Sequence, residues 1–430
     1  MLANKKLLVL GGKPASSYEI VQYAKKKGVY TIVTDFLPKE KSGAKQIADE
    51  CWDVSTSDLD TLEKLIKEND IDGVFTGVHE FNIKKTIELC EKLNLPFYCN
   101  KEQWDLCSNK SKFKKLCRAN NVPVVNEYKF NGDIKEDVIK KIKFPVIVKP
   151  VDSSGGTGIQ ICNSSKELIS AYKEALNHST TKEITVEDFI KGQEFSVVYT
   201  LKDGKISLSS MCDKYFTHFS EKTIPLPEAF IFPSRYLHDY LEKENSKVIR
   251  MFQKQGLRNG SLFLQGIKND DGFHFFEMGY RLSGGGAYRF ISKLNGINNM
   301  EMMVNYSLKG SMTGHNLSQD DPNFNKVCCT LNFVVKEGIV GKEIGIENIS
   351  NNSNIIYVEK RYNVGDRIEK TGTLRQVYMR VHIIEDNFST LEKTIQRLQS
   401  KIRILNDEGE DMVTSWFDTK KLKGYSNVFK

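Results

Sequence analysis

The sequence predicts a mixed α/β and α+β protein, an open parallel α/β unit followed by units rich in paired strands, and three observations carry that prediction. Near the N-terminus Lys6-Leu-Leu-Val-Leu10 runs through Gly11-Gly12 into a helix bearing Tyr18, Ile20, Val21 and Ala24, then into the strand-like Gly28–Asp35, which is a βαβ opening. Farther along, long β runs are joined by hairpin signals, the clearest being Asn269-Asp-Asp-Gly272 between alternating segments. Finally, 430 residues leave room for two to four cores at roughly 100–200 residues per domain. The changes in pattern divide the chain into 1–105, 106–317 and 318–430.

In the first unit Leu59–Glu68 reads as a short amphipathic helix, Gly73–Gly77 as a buried strand, Phe81–Leu93 as a helix and Pro96–Cys99 as another strand. In the second, a helix over Lys110–Asn120 stops before Val122-Pro123, since the residue preceding proline is driven out of the helical region. A helix near Ile134–Ile142 leads to the strand Phe144–Pro150, which ends in a Gly/Ser-rich loop. Two β-like runs, split at Lys191-Gly192, fill 184–208, and the hairpin of 261–277 follows. The third unit reads as runs 326–335, 354–358 and 378–384, closed by an amphipathic helix over 389–402.

Composition narrows the function. With 40% hydrophobic and 27% charged residues the chain is globular rather than disordered. It has no apolar run of about 18 residues and no signal-like N-terminus, so no membrane partner and a cytoplasmic location are expected. The nine cysteines lack CxxC spacing and their odd count suits reduced thiols; the seven histidines do not pair with them at zinc-ligand spacing. The net charge of +7 is mild, and the lysine runs Lys25–Lys27 and Lys110–Lys115 lie in helical segments among apolar residues. They read as solvated helix faces, so nucleic acid is not an expected partner.

Three constellations carry chemistry. The strand Phe144–Pro150 places Lys149 beside Ser153, Ser154, Gly155, Gly156, Thr157 and Gly158, small residues that let backbone N–H groups close over phosphate oxygens. This is no Walker A loop, because its lysine precedes the glycines, and Gly11-Gly12-Lys-Pro-Ala-Ser is no dinucleotide fingerprint. Next, Glu187, Asp188, Phe189 and Ile190 form a strand edge able to pair with a nucleobase, with Glu194 placed for ribose hydroxyls. In the third, Glu277 follows two phenylalanines in a strand that otherwise reads as buried, where a carboxylate needs a cation. Magnesium takes such oxygens; Gln265, one hairpin away, could add a carbonyl, and Arg281 projects on the same side toward a carboxylate or phosphoryl oxygen. Lys214 is a candidate second phosphate or carboxylate contact. His79 and Glu80 stand at a strand end, where ligands of parallel sheets collect. Each signal alone is equally met by a turn or a surface charge; their order is the stronger observation.

That ordered set, Lys110, Lys149, the Gly-rich loop, Glu187 with Glu194, Gln265 and Glu277-x-x-x-Arg281, resembles the ATP-grasp superfamily over nearly the whole chain. Residues 1–105 resemble its pre-ATP-grasp domain, and residues 318–430 the C-terminal domain of biotin carboxylase and of L-amino acid ligases. The resemblance implies ATP with Mg2+, or Mn2+ in its place. It also implies phosphate contacts from Lys110 and Lys149, a lid subdomain over about 144–190 with 153–158 mobile, adenine read by Glu187–Ile190 and ribose held by Glu194. Glu277 would bridge two magnesium ions, and Gln265 stands where relatives carry Glu or Gln. Lys149, Glu277 and Arg281 would carry catalysis, while Arg281, Ser283, Gly284 and Gly285 would meet the acyl phosphate and its attacking amine.

The implied activity is ATP-dependent ligation of a small-molecule carboxylate to an amine through an acyl phosphate, releasing ADP and phosphate. Amino-acid substrates are favoured because Arg281-x-Ser-Gly-Gly-Gly286 is most like the L-amino acid ligases. A biotin carboxylase-type carboxylase is the alternative, weakened by the absence of an Ala-Met-Lys-Met carrier motif. A non-catalytic nucleotide-binding module is the other, favoured by one departure: Glu277-Met-Gly279-Tyr-Arg281 carries glycine where the family has the asparagine that completes the second metal's shell. Relatives of this fold are often dimers, so the resemblance suggests a homodimer.

Overall fold

The computed structural model describes residues 2–128, 130, 136–151, 158–217 and 225–425. Four parallel strands, β1 (Lys6–Leu10), β2 (Tyr30–Thr34), β3 (Glu50–Trp52) and β4 (Gly73–Phe75), form the first sheet in the order β3-β2-β1-β4. Leu7, Leu8, Val9 and Leu10 are all buried, as a strand covered on both faces requires. The helices Leu59–Glu68 and Glu80–Leu93 lie where their apolar periodicity placed them. Pro96–Cys99 is not a strand. Tyr98 instead packs edge-on against Tyr280 and donates its hydroxyl to the Tyr280 carbonyl at 2.9 Å, so tertiary contact overrides a local β preference. The fourth strand is β3, which the sequence reading missed.

A second four-stranded sheet comprises β5 (Glu127–Tyr128), β6 (Val146–Pro150), β7 (Gln160–Cys162) and β8 (Ile184–Asp188), ordered β5-β8-β6-β7. The helix Ser165–His178 packs on it through Leu168, Ala171, Tyr172 and Ala175. The two β runs expected over 184–208 are three strands, β8, β9 (Gln193–Lys202) and β10 (Lys205–Phe216). They are followed by β11 (Pro227–Phe232), β12 (Gly260–Asn269), β13 (Gly272–Gly279), β14 (Val327–Val334), β15 (Gly338–Ile344), β16 (Ile355–Lys360), β17 (Arg367–Ile368), β18 (Val377–Glu385) and β19 (Arg403–Asn406). One eight-stranded sheet, β13-β12-β9-β10-β11-β14-β18-β16, crosses residue 318 through the β11–β14 pairing, while β17-β15-β19 forms a small sheet of its own. The β12–β13 hairpin turns at Asn269↔Gly272 and sets Gln265 opposite Glu277.

The largest apolar cluster joins β1 and the helix Ala15–Lys26 to Phe113 and Cys117, then to β9, β12 and the helix Asn299–Lys309, so the first and second units share a core. Among the described residues no helix is long and apolar enough to cross a membrane.

Candidate functional site

The helix Lys110–Ala119 starts at Asn109, whose side chain accepts the Lys112 N–H at 3.0 Å. Lys110 and Lys114 therefore stand one turn apart on one face. Lys25, Lys26 and Lys27 are exposed, as are Lys112 and Lys115, which suits solvated faces; Lys114 does not follow that reading and is completely buried.

Its partner explains why. In the β6–β8 pairing Glu187 stands opposite Ile147, two residues from Lys149, so both polar side chains share a face. Glu187 Oε2 lies 2.8 Å from Lys149 Nζ and its Oε1 lies 2.5 Å from Lys114 Nζ. Burial would raise the Glu187 carboxyl, but the two ammonium groups hold it below the usual carboxylate range. Burial pulls Lys114 down, with Glu187 opposing. The Glu187 carboxylate is enclosed by two lysines, so any part it takes in the expected adenine contact falls to its backbone, alongside the edge of half-buried Asp188, Phe189 and Ile190. Part of that edge is stitched down, since Asp188 N–H donates to Asn126 and Phe189 N–H to Pro145, each at 3.1 Å.

Lys110 is also pulled down by burial, and Glu277 is the foremost charge working against that shift. Lys149 sits over the Phe276 ring, 5.6 Å from its centroid. These groups face a polar row that crosses β10, β9, β12 and β13. Lys214 pairs in register with Glu194 and bonds its carboxylate, donates to Gln265 Oε1 at 2.7 Å, and Gln265 stands opposite Glu277. Of the Gly-rich loop, Ser153, Ser154, Gly155, Gly156 and Thr157 lie outside the described residues. Gly158 resumes the chain at φ +72°, a conformation that favours glycine.

Arg281 joins the second unit to the first. Its guanidinium donates to Glu80 at 2.8 Å and to the Leu282 carbonyl at 3.0 Å. Burial would raise the Glu80 carboxyl, yet Arg281 holds it below its ordinary value. His79 is exposed at the start of the same helix and caps it with no side-chain bond. Beyond Arg281 the loop is clamped from the C-terminal strands. Arg380 donates to the Gly284 carbonyl at 2.5 Å and to Asn332 Oδ1 at 3.0 Å, and Thr330 donates to Gly285 at 3.3 Å. His382 Nε2 lies 3.3 Å from that same Gly285 carbonyl, and burial, Arg289 and Arg380 push the ring's pKa well below the ordinary histidine value. A Cβ on Gly285 would strike Phe230, whereas one on exposed Gly284 would meet open space, so Ser283 to Gly285 present an open outer face on a fixed inner one.

Sequence reasoning missed Lys114, Arg380 and His382. The signal for Lys114 is its spacing of four from Lys110; for the other two it is a pair of polar residues at i and i+2 in the apolar run of β18.

Residues 109–306 match the family model for the ATP-binding domain of the carbamoyl-phosphate synthase L chain. That match places an ATP-grasp domain in the middle of the chain. It is 28% identical over 207 residues to the formate-dependent phosphoribosylglycinamide formyltransferase of Sulfurisphaera tokodaii, a match covering 47% of this chain and 51% of that protein. The chain thus spans about half the length of the curated relatives it matches. Two solved structures share the ATP-grasp architecture. The L-amino acid ligase of Bacillus licheniformis has a TM-score of 0.76 at 19% identity, over 94% of this chain and 100% of that one. The biotin carboxylase domain dimer of Hydrogenobacter thermophilus 2-oxoglutarate carboxylase, solved with MgADP and bicarbonate, also has a TM-score of 0.76, at 16% identity, over 99% and 98%.

Proposed function

We propose that this ATP-grasp protein is an ATP-dependent carboxylate–amine ligase. The observation that carries the reading is the pairing of two walls: Lys110 and Lys149 on one side, and the row Glu194, Lys214, Gln265 and Glu277 on the other, with Arg281 and Glu80 beyond its end. Cations facing carboxylates and amide oxygens suit a nucleotide triphosphate with a divalent ion between them. Among the described residues no cluster of three or more His, Cys, Asp or Glu could cage a metal. Glu277 and Gln265, directly opposed on neighbouring strands, nevertheless fit Mg2+, which is usually held by one or two carboxylates plus substrate phosphates. When bound, the ion would draw charge off the phosphoryl oxygens; Mn2+ would serve likewise.

Phosphoryl transfer asks little covalent work of a protein, so this chain's residues act by positioning and by charge. Lys110 and Lys149 hold the phosphate oxygens. The backbone of Asp188–Ile190 meets the adenine edge, and Glu194 turns from Lys214 to the ribose. A substrate carboxylate oxygen attacks the γ-phosphorus and ADP departs. Arg281 then balances the acyl phosphate above Ser283, Gly284 and Gly285 while an amine nitrogen attacks the acyl carbon; phosphate leaves and the amine gives up its proton. The sheet β5–β8 closes over the cleft to exclude water, which would otherwise hydrolyse the intermediate. Amino acids are the proposed substrates, supported by the shared architecture of the Bacillus ligase and by the Arg281–Gly286 stretch. The test is phosphate release with ATP and Mg2+ across amino acids supplied in pairs. Tight ATP binding with no stimulation by any pair would overturn the reading and favour a binding module, for which Gly279 is the supporting residue.

A further inference from the structure

We infer that Lys114 is a positioning residue for nucleotide binding: it neutralises Glu187, so that the charge of Lys149 remains available to phosphate. This deepens the reading above and rests on Lys149 as a phosphate contact. One carboxylate serves two lysines, each on its own oxygen, Lys114 at 2.5 Å and Lys149 at 2.8 Å. With its side chain 0% exposed, Lys114 reaches no ligand and acts only through Glu187.

The charge count decides the matter. Lys114, Glu187 and Lys149 sum to +1. The other groups near Lys114 add nothing to that sum, because Glu127, 3.9 Å from its Nζ, is answered by Arg118 at 3.6 Å. If Lys114 were apolar, Glu187 and Lys149 would form a neutral buried pair and the phosphate wall would lose one unit of positive charge. Lys114 also fixes the carboxylate from behind, so that Lys149 is held in one direction rather than ordered when the nucleotide arrives. Stability alone does not call for a third buried charge, since replacing buried ions by apolar groups is often neutral or favourable. The wall's need for a net cation does call for it.

The experiment is a calorimetric titration of MgADP into the full chain and two variants, Lys114→Met and Lys114→Met/Glu187→Gln. The single change leaves Lys149 neutralised and should weaken binding by roughly tenfold or more. The double change removes the unpaired carboxylate along with the lysine, returns the charge to Lys149, and should bring affinity back to about threefold of the wild type or better. A merely structural lysine would not give that recovery. Binding by the wild type with an unaffected single variant, or a double variant as weak as the single, overturns the inference and leaves the nucleotide reading standing. A wild-type chain that does not bind MgADP overturns the nucleotide reading itself. If Lys114→Met does not fold, the double variant decides: wild-type-like binding supports the inference and loss of binding overturns it.

Discussion

Phe263 stands opposite Gly279 in the β12–β13 pairing, and its ring fills the space that any side chain at 279 would need. A Cβ there would strike Cε1 and Cζ of the ring. The Arg281 guanidinium lies over the same ring, 4.8 Å from its centroid. Gly279, which the resemblance sets where the family carries asparagine, is therefore one part of a coupled set: Gly279 admits Phe263, and Phe263 carries Arg281 by a cation–π contact.

It follows that Gly279→Asn would do more than offer an amide oxygen toward the proposed metal. Overpacking against the phenyl ring should destabilise the fold by about 1–3 kcal/mol. Urea unfolding would show this as a lower midpoint at unchanged slope, and adding Phe263→Ala should recover part of the loss. A single variant as stable as the wild type would mean that the ring moves aside freely.

Glu277→Gln keeps shape and removes charge, so it separates metal binding from packing. ADP binding by the wild type should strengthen when Mg2+ is added and weaken when it is chelated, whereas in Glu277→Gln the two conditions should converge. Turnover in this variant and in Lys149→Ala should fall by roughly 10²–10³-fold, the range for losing one preorganised electrostatic group, with circular dichroism unchanged. A variant that keeps its magnesium dependence would move the metal site away from β13.

Much of this site was legible because Lys149 and Glu277 are single charges inside apolar strand runs, where an unpaired charge would be too costly to bury. The hairpin was equally legible from its alternation and turn residues. Lys114 was not: among five lysines and arginines of one helix, the buried one is chosen by Glu187, which the fold brings from β8. Arg380 and His382 were hidden because the groups they approach in the loop are backbone carbonyls, which leave no mark in a sequence. Pro96–Cys99 misled for the same reason, since what holds Tyr98 is the Tyr280 carbonyl.

The Glu80–Arg281 pair should make the join between the first and second units sensitive to acid. Arg281 depresses the Glu80 carboxyl in the folded state, against the upward pull of burial. Its contribution is therefore present above the unfolded carboxylate value of about 4.3 and is lost as pH falls through the lower folded value. An NMR titration of the glutamate carboxyl carbons should find Glu80 below that ordinary value in the wild type. In Arg281→Met it should move upward, because burial is then opposed only by the weaker pull of Lys110 and Lys84. A Glu80 that titrates at the same pH in both proteins would show that the ion pair does not form in solution.

Arg380 offers the sharpest way to separate the loop from the nucleotide wall. Its side chain is buried and holds the Gly284 carbonyl and Asn332, with Glu359 3.7 Å away. Arg380→Met would leave Glu359 still paired with Arg361 but buried Asn332 Oδ1 without its donor, a change expected to cost about 1–3 kcal/mol as for an unsatisfied buried acceptor. Arg380→Lys keeps the charge but lacks the planar fork that reaches two acceptors at once, so it should fold while releasing Gly284. Because this clamp lies apart from Lys110, Lys149 and Glu187, MgADP affinity should stay within about twofold of the wild type, as for distant independent sites. Substrate-stimulated phosphate release should fall through a higher KM for the carboxylate or the amine. Equal loss of nucleotide binding and of substrate response would instead place Arg380 in the general stability of the sheet.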